Sequence, residues 1–135
     1  MSYRIEEIEG IGPAYGSKLE GIGIVLTNHL LKTCGTARGR RQVAAASGIS
    51  EAQLLKWANM ADLMRIKGVG RQFSELLEAA GVDTVKELRQ RNADNLAAKM
   101  REVNEAKRLT RTVPSPYQVK GWVEQAQKLD PAISH

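Results

Sequence analysis

The chain has one cysteine, Cys34, and few aromatic side chains, 4% of 135 residues. A single thiol closes no internal disulfide, so packing alone must hold the fold and an oxidising compartment is not indicated. Few aromatics beside 42% hydrophobic residues leave a core of Leu, Ile, Val and Ala, the filling of a helical domain. No apolar run reaches the length of a membrane span, and the opening Met-Ser-Tyr-Arg-Ile-Glu-Glu lacks the apolar centre of a secretory signal. The expectation is a cytoplasmic protein with no membrane role. No stretch alternates with a period of two, so half-buried strands are not expected. His29, His135 and Cys34 make no metal-ligand spacing. No Walker-type loop or Ser-His-Asp or Cys-His arrangement is present, so no enzyme, no cofactor and no small-molecule substrate is expected. Acidic residues are the minority, 15 against 20 Lys and Arg, giving a net charge of +5 and a pI of about 9.6. That balance suits a nucleic-acid binder, and a solvated helical surface could also produce it.

What the chain does have is one short stretch written twice. Ile8-Glu9-Gly10-Ile11-Gly12-Pro13 returns as Ile66-Lys67-Gly68-Val69-Gly70-Arg71, each followed by a small residue (Gly16, Ser74) and a leucine three later (Leu19, Leu77). Two glycines let the backbone turn where a Cβ would resist, and the apolar residue between them can tuck into the angle between two short helices. Such a stretch reads as a helix-hairpin-helix. Pro13 suits the first position of the second helix.

Read in order, the chain predicts a short helix over about residues 3–9, a hairpin over 10–12 and a helix over 13–20 ended by Gly21 and Gly23. A helix carrying Leu26, Leu30 and Leu31 follows. Thr36 caps the next, with Arg38, Arg40 and Arg41 on its polar face and Val43, Ala44 and Ala46 on its apolar face. Gly48 closes it, and Ser50 with Gln53 opens another at capping-box spacing, whose end between Asp62 and Arg65 is undecided. The second half repeats the order at a displacement of 58, Gly81 matching Gly23 and Leu88 matching Leu30. Thr84 caps one helix, and Asn92 a longer one reaching Leu109. Ser115 opens the last, whose Gln118, Val119 and Trp122 match Gln53, Leu54 and Trp57 at a displacement of 65. The seven extra residues are expected to lengthen the helix ending near Leu109. The expected organisation is all-α: two tandem units, residues 1–62 and 63–130, packed into one body, with a frayed tail over 131–135.

Hairpin glycines expose backbone N–H groups at a helix start, where the dipole and unpaired donors favour an anion. Arg65, Lys67 and Arg71 surround Gly68 and Gly70, so the second hairpin is the expected phosphate contact. Glu6, Glu7 and Glu9 precede Gly10 and Gly12, with Lys18 a turn further on, so the first hairpin is expected to be mainly structural. Arg38, Arg40 and Arg41, in a stretch without acids, could extend a footprint on duplex DNA. Three neutralised phosphates would lower log affinity by roughly 2.7 per decade of salt. Trp57 and Trp122 are expected as core wedges, and Tyr15 and Phe73 as packing. The other reading is a protein interaction module, a homodimer or an adaptor. DNA against RNA stays open.

Over nearly its full length the sequence resembles a bacterial family of unknown function built from tandem helix-hairpin-helix units. Gly10-Ile11-Gly12, Leu54-Leu55-Lys56-Trp57-Ala58-Asn59, residues 62–70, Leu76-Leu77-Glu78-Ala79-Ala80-Gly81-Val82 and Trp122 carry the likeness. Each half is more distantly similar to the helical C-terminal domain of the bacterial RNA polymerase alpha subunit, which binds DNA and protein activators. The wider DNA-binding group implies two hairpins side by side across one minor groove, with a monovalent cation possible at a hairpin. Here residues 24–62 separate the hairpins, which leaves contact with both strands open.

Overall fold

The computed structural model describes residues 2–135, and every regular element among them is helical apart from one isolated bridge between Arg4 and Leu26. A 3-10 turn at Ile5–Glu7 precedes α1 (Gly12–Glu20), α2 (Thr27–Cys34), α3 (Ala37–Ser47) and α4 (Glu51–Leu63). Then come α5 (Arg71–Ala79), α6 (Val85–Leu88), α7 (Ala93–Lys107) and α8 (Pro116–Gln127). Local chemistry sets most of these boundaries. Thr36, Ser50, Thr84, Asn92 and Ser115 each accept a hydrogen bond from the amide three residues on. At α2 the cap position holds Leu26, which has no acceptor, and the ring of His29 accepts from the Leu26 amide through Nδ1 at 3.2 Å instead.

The expected helix over residues 3–9 shrinks to one 3-10 turn, because the backbone there pairs with a distant segment. The Thr27 amide donates to Tyr3 O at 2.7 Å and the Ile5 amide to Val25 O at 3.0 Å. That pairing draws the chain out before the turn can extend.

Two buried clusters divide the interior. The first gathers Ile5, Ile8, Leu19, Leu30, Leu54, Trp57 and Met64, and the second Leu63, Ile66, Leu76, Leu77, Met100, Val119 and Trp122. Helix α4 feeds both, so no linker lies between them. Both tryptophans are buried, each seated over a glycine turn: a Cβ built on Gly10 would lie 3.6 Å from Trp57 Nε1, and one on Gly68 3.2 Å from Trp122 Nε1. Each indole also meets the ring that follows its turn, Tyr15 to Trp57 at 5.1 Å and Phe73 to Trp122 at 5.3 Å between centroids. Replacing a wedge of this kind by alanine costs about 3–5 kcal/mol.

Two expectations are corrected here. Helix α7 is longer than its counterpart α3, 15 residues against 11, but it stops at Lys107, and the link that follows is longer too: residues 108–115 where the first half has 48–50. The tail does not stand free. Ile133 packs against the first cluster, the Ser134 amide donates to Gly35 O at 2.8 Å, and Arg40 Nη2 donates to Ser134 O at 2.8 Å. The return of residues 131–135 to the α2–α3 corner joins the chain's end to its first half.

Candidate nucleic-acid interface

The two glycine turns share one backbone course. Gly10 and Gly68 have φ of 94° and 96°, and Gly23 and Gly81, which end the following helices, 88° and 96°. The Ile11 amide donates to Ile8 O and the Val69 amide to Ile66 O, at 3.3 and 3.0 Å. The copies part at the second glycine, where Gly12 is left-handed at φ 61° and Gly70 takes φ −110°.

At the second turn, Lys67 is exposed and forms no ion pair among the described residues. Its amide is taken: it donates to Gln125 Oε1 at 2.9 Å, and Gln125 Nε2 donates back to Lys67 O at 3.2 Å, so α8 clamps the turn. The amides of Gly70, Arg71 and Gln72, at the start of α5, find no acceptor among the described residues. Arg71 is about half exposed, and its Nε donates to Glu9 Oε2 at 2.6 Å. Hydrogen bonding and charge from Glu9 raise the arginine's pKa further, so it remains a cation at any working pH.

Arg65 is not a free cation. Its Nη1 lies 2.7 Å from Oδ1 of Asp62, which is 1% exposed and also accepts from the Val85 amide at 2.8 Å through Oδ2. Arg65 is therefore held against Asp62, and it is Asp62 that ties α4 to α6. Arg40 departs further from expectation: it is 4% exposed and donates to Cys34 O at 3.0 Å as well as to Ser134 O. Its guanidinium satisfies carbonyls that the α2–α3 corner and the tail leave unpaired. Arg38 and Arg41 are exposed on α3, Arg38 in a shallow groove with Lys32, Thr36 and Gln42. That groove shares no residue with the two that border the glycine turns.

The first turn sits among acids. Arg4 pairs with Glu6 and Glu20, each at 2.9 Å, and Lys18 lies 5.8 Å from the Tyr15 ring centroid. The Arg4 hydrogen bond holds the Glu6 carboxyl below its usual range. Gly12, Pro13, Gly16, Glu20 and Arg71 border one groove of about 600 Å³, so residues from both turns meet on one face. A neighbouring groove brings Glu9 and Gly10 beside Glu75, Glu78, Lys56 and Lys107. Burial first, then the charges of Glu9 and Glu78, push the Glu75 carboxyl up.

Chemically, both turns leave helix-start amides without an acceptor among the described residues; the second sets two cations beside them, the first carboxylates. Sequence reasoning missed three residues that shape this face: Glu9, which occupies Arg71, Asp62, which occupies Arg65, and Gln125, which pins the turn. Asp62 and Arg65 stand three apart on one helical path, a signal that was legible; the other two contacts join residues about sixty positions apart. No helix among the described residues is long and apolar enough to cross a membrane. No curated protein and no solved structure matches the chain. The family described as a domain of unknown function, DUF4332, has a model that matches residues 9–129, nearly the whole chain, and the protein belongs to that family.

Proposed function

We propose that the two glycine turns are helix-hairpin-helix elements and that the second binds duplex DNA through its phosphates, without reading sequence. The observation that carries this reading is the start of α5, where the Gly70, Arg71 and Gln72 amides have no acceptor among the described residues and Lys67 and Arg71 flank them in the chain. Free donors at a helix start and adjacent cations are what a phosphate oxygen requires. Contacts of this kind position a backbone and carry no base information. The first turn, walled by Glu6, Glu9 and Glu20, serves as framework. A cytoplasmic location follows from this reading.

With Arg65 and Arg40 committed to internal partners, about two phosphates are neutralised, so log affinity should fall by roughly 1.8 per decade of salt. The test is a duplex titration at low salt with Lys67→Glu/Arg71→Glu beside the unaltered chain. The double variant should lose most binding, at least tenfold, with its far-ultraviolet circular dichroism unchanged. An identical titration curve overturns the site, and a stable dimer without duplex affinity by light scattering favours an interaction module.

A further inference from the structure

The duplication provides an internal control for what folding requires. Helix α4 begins Glu51-Ala52-Gln53 where α8 begins Pro116-Tyr117-Gln118, with Trp57 and Trp122 in matching places further on. Alanine serves at this position in the first half, so packing does not demand an aromatic there. Yet Tyr117 is 85% exposed, against 41% for Tyr15 and 39% for Ile22, the other exposed large apolar side chains among the described residues.

The link before α8 has changed with it. Residues 106–123 contain Lys107, Arg108, Arg111 and Lys120 and no acid. Lys107 borders the groove that holds Glu9, Glu75 and Glu78. The other three are exposed, and none forms an ion pair among the described residues. The link is also held in shape. Asn104 Nδ2 donates to Thr110 O at 3.1 Å while its Oδ1 accepts from the Thr110 amide at 2.9 Å, and Thr110 Oγ1 donates to Thr112 O at 2.6 Å. Arg108 is left-handed at φ 52°, and its amide donates to Asn104 O at 2.8 Å. Leu109 packs on the second cluster, and Ser115 and Gln118 cap each other's amides at the start of α8. The backbone that carries Arg108 is thus held in place by bonds within the link. Pro116, next to Tyr117 in the chain, borders a shallow groove in which Asp94, Glu102 and Glu105 outnumber Arg101, a lining that a polyanion would avoid.

We propose that the α7–α8 link is a binding site for single-stranded nucleic acid, with Tyr117 stacking on an unpaired base and Arg108, Arg111 and Lys120 taking neighbouring phosphates. A duplex keeps its base faces covered, so an exposed ring within an acid-free, basic segment selects a strand whose bases are free. The proposal uses none of the residues of the duplex contact proposed at Gly70 and does not depend on it.

The test is a fluorescence anisotropy titration of a labelled oligothymidylate of about 12 nucleotides, a length within the usual site range. Tyr117→Ala should weaken binding about five-fold or more, the loss expected of one stacked base, and Tyr117→Phe should retain it. Arg111→Glu/Lys120→Glu should weaken binding and flatten its salt dependence, while Lys67→Glu/Arg71→Glu leaves the oligonucleotide curve in place. All five positions altered are exposed, so unfolding midpoints should match the unaltered chain. No binding by the unaltered chain, or equal binding by Tyr117→Ala, overturns the proposal. Loss in Tyr117→Phe equal to that in Tyr117→Ala overturns stacking, and loss in the Lys67/Arg71 variant overturns a separate site.

Discussion

Arg71 faces a choice between two anions. Its guanidinium is within 2.6 Å of the Glu9 carboxylate, and both side chains are about half exposed, so the pair is solvated and exchangeable. A phosphate arriving at the start of α5 must displace Glu9 or share the cation with it. Exposed ion pairs are worth about 0.2–1 kcal/mol, so releasing Arg71 by Glu9→Gln should tighten duplex binding by up to about five-fold. The duplex titration reads this directly, and an unchanged affinity would separate Glu9 from the site. The same residue shows where inspection of a sequence stops. Glycines, tryptophans and helix caps act on neighbours along the chain and can be recognised there. The pairing of Arg71 with Glu9, or of Arg40 with Ser134, depends on which distant segments the fold brings together, and nothing local announces it. Of three cations expected around Gly68, packing leaves Lys67 open, shares Arg71 and removes Arg65 to Asp62.

At the scale of the element, the repeated unit is a glycine turn with an indole across it. The repeat was legible because both halves need the same left-handed backbone at the same place, and that need appears as Gly10 and Gly68. The seat of the tryptophan was not: the sequence placed Trp57 and Trp122 in the core without showing that each covers a turn lying 47 or 54 residues earlier. The first helix is shorter than its sequence suggests for a related reason, since pairing of Tyr3 and Ile5 with residues 25–27 outweighs local helix preference. A Cβ at position 68 would meet both φ of 96° and the Trp122 Nε1 atom at 3.2 Å. Gly68→Ala should therefore destabilise the chain by about 1–2 kcal/mol from backbone strain alone. Gly70→Ala meets nothing within 4 Å and has no left-handed φ, so it should be the milder change. Denaturant midpoints for the two variants provide the check, and an equal or larger loss at Gly70 would refute the account of the turn.

For the whole molecule, two interior clusters are joined by α4 on one side and by the returning tail on the other. The tail's role follows from what it satisfies. Arg40 is a buried cation, and its partners are the carbonyls of Cys34 and Ser134; Gly35 admits the tail because Ala132 O would lie 2.5 Å from any Cβ there. Deleting residues 131–135 leaves Arg40 with one of its two carbonyl partners, removes the Ser134 to Gly35 bond and uncovers the seat of Ile133. Hydrogen bonds to a charged group are worth about 1.5–3 kcal/mol, and the deleted chain should lose stability on that order. The loss should be localised. Amides of α2 and α3 should exchange faster with solvent in the truncated chain, while those of α7 and α8, whose cluster the tail beyond Leu129 does not enter, keep their protection. Hydrogen exchange followed by mass spectrometry separates the two halves. Uniform acceleration would mean that the clusters unfold as one unit, and no acceleration in α2 and α3 would mean that the tail merely rests on a half that holds itself together.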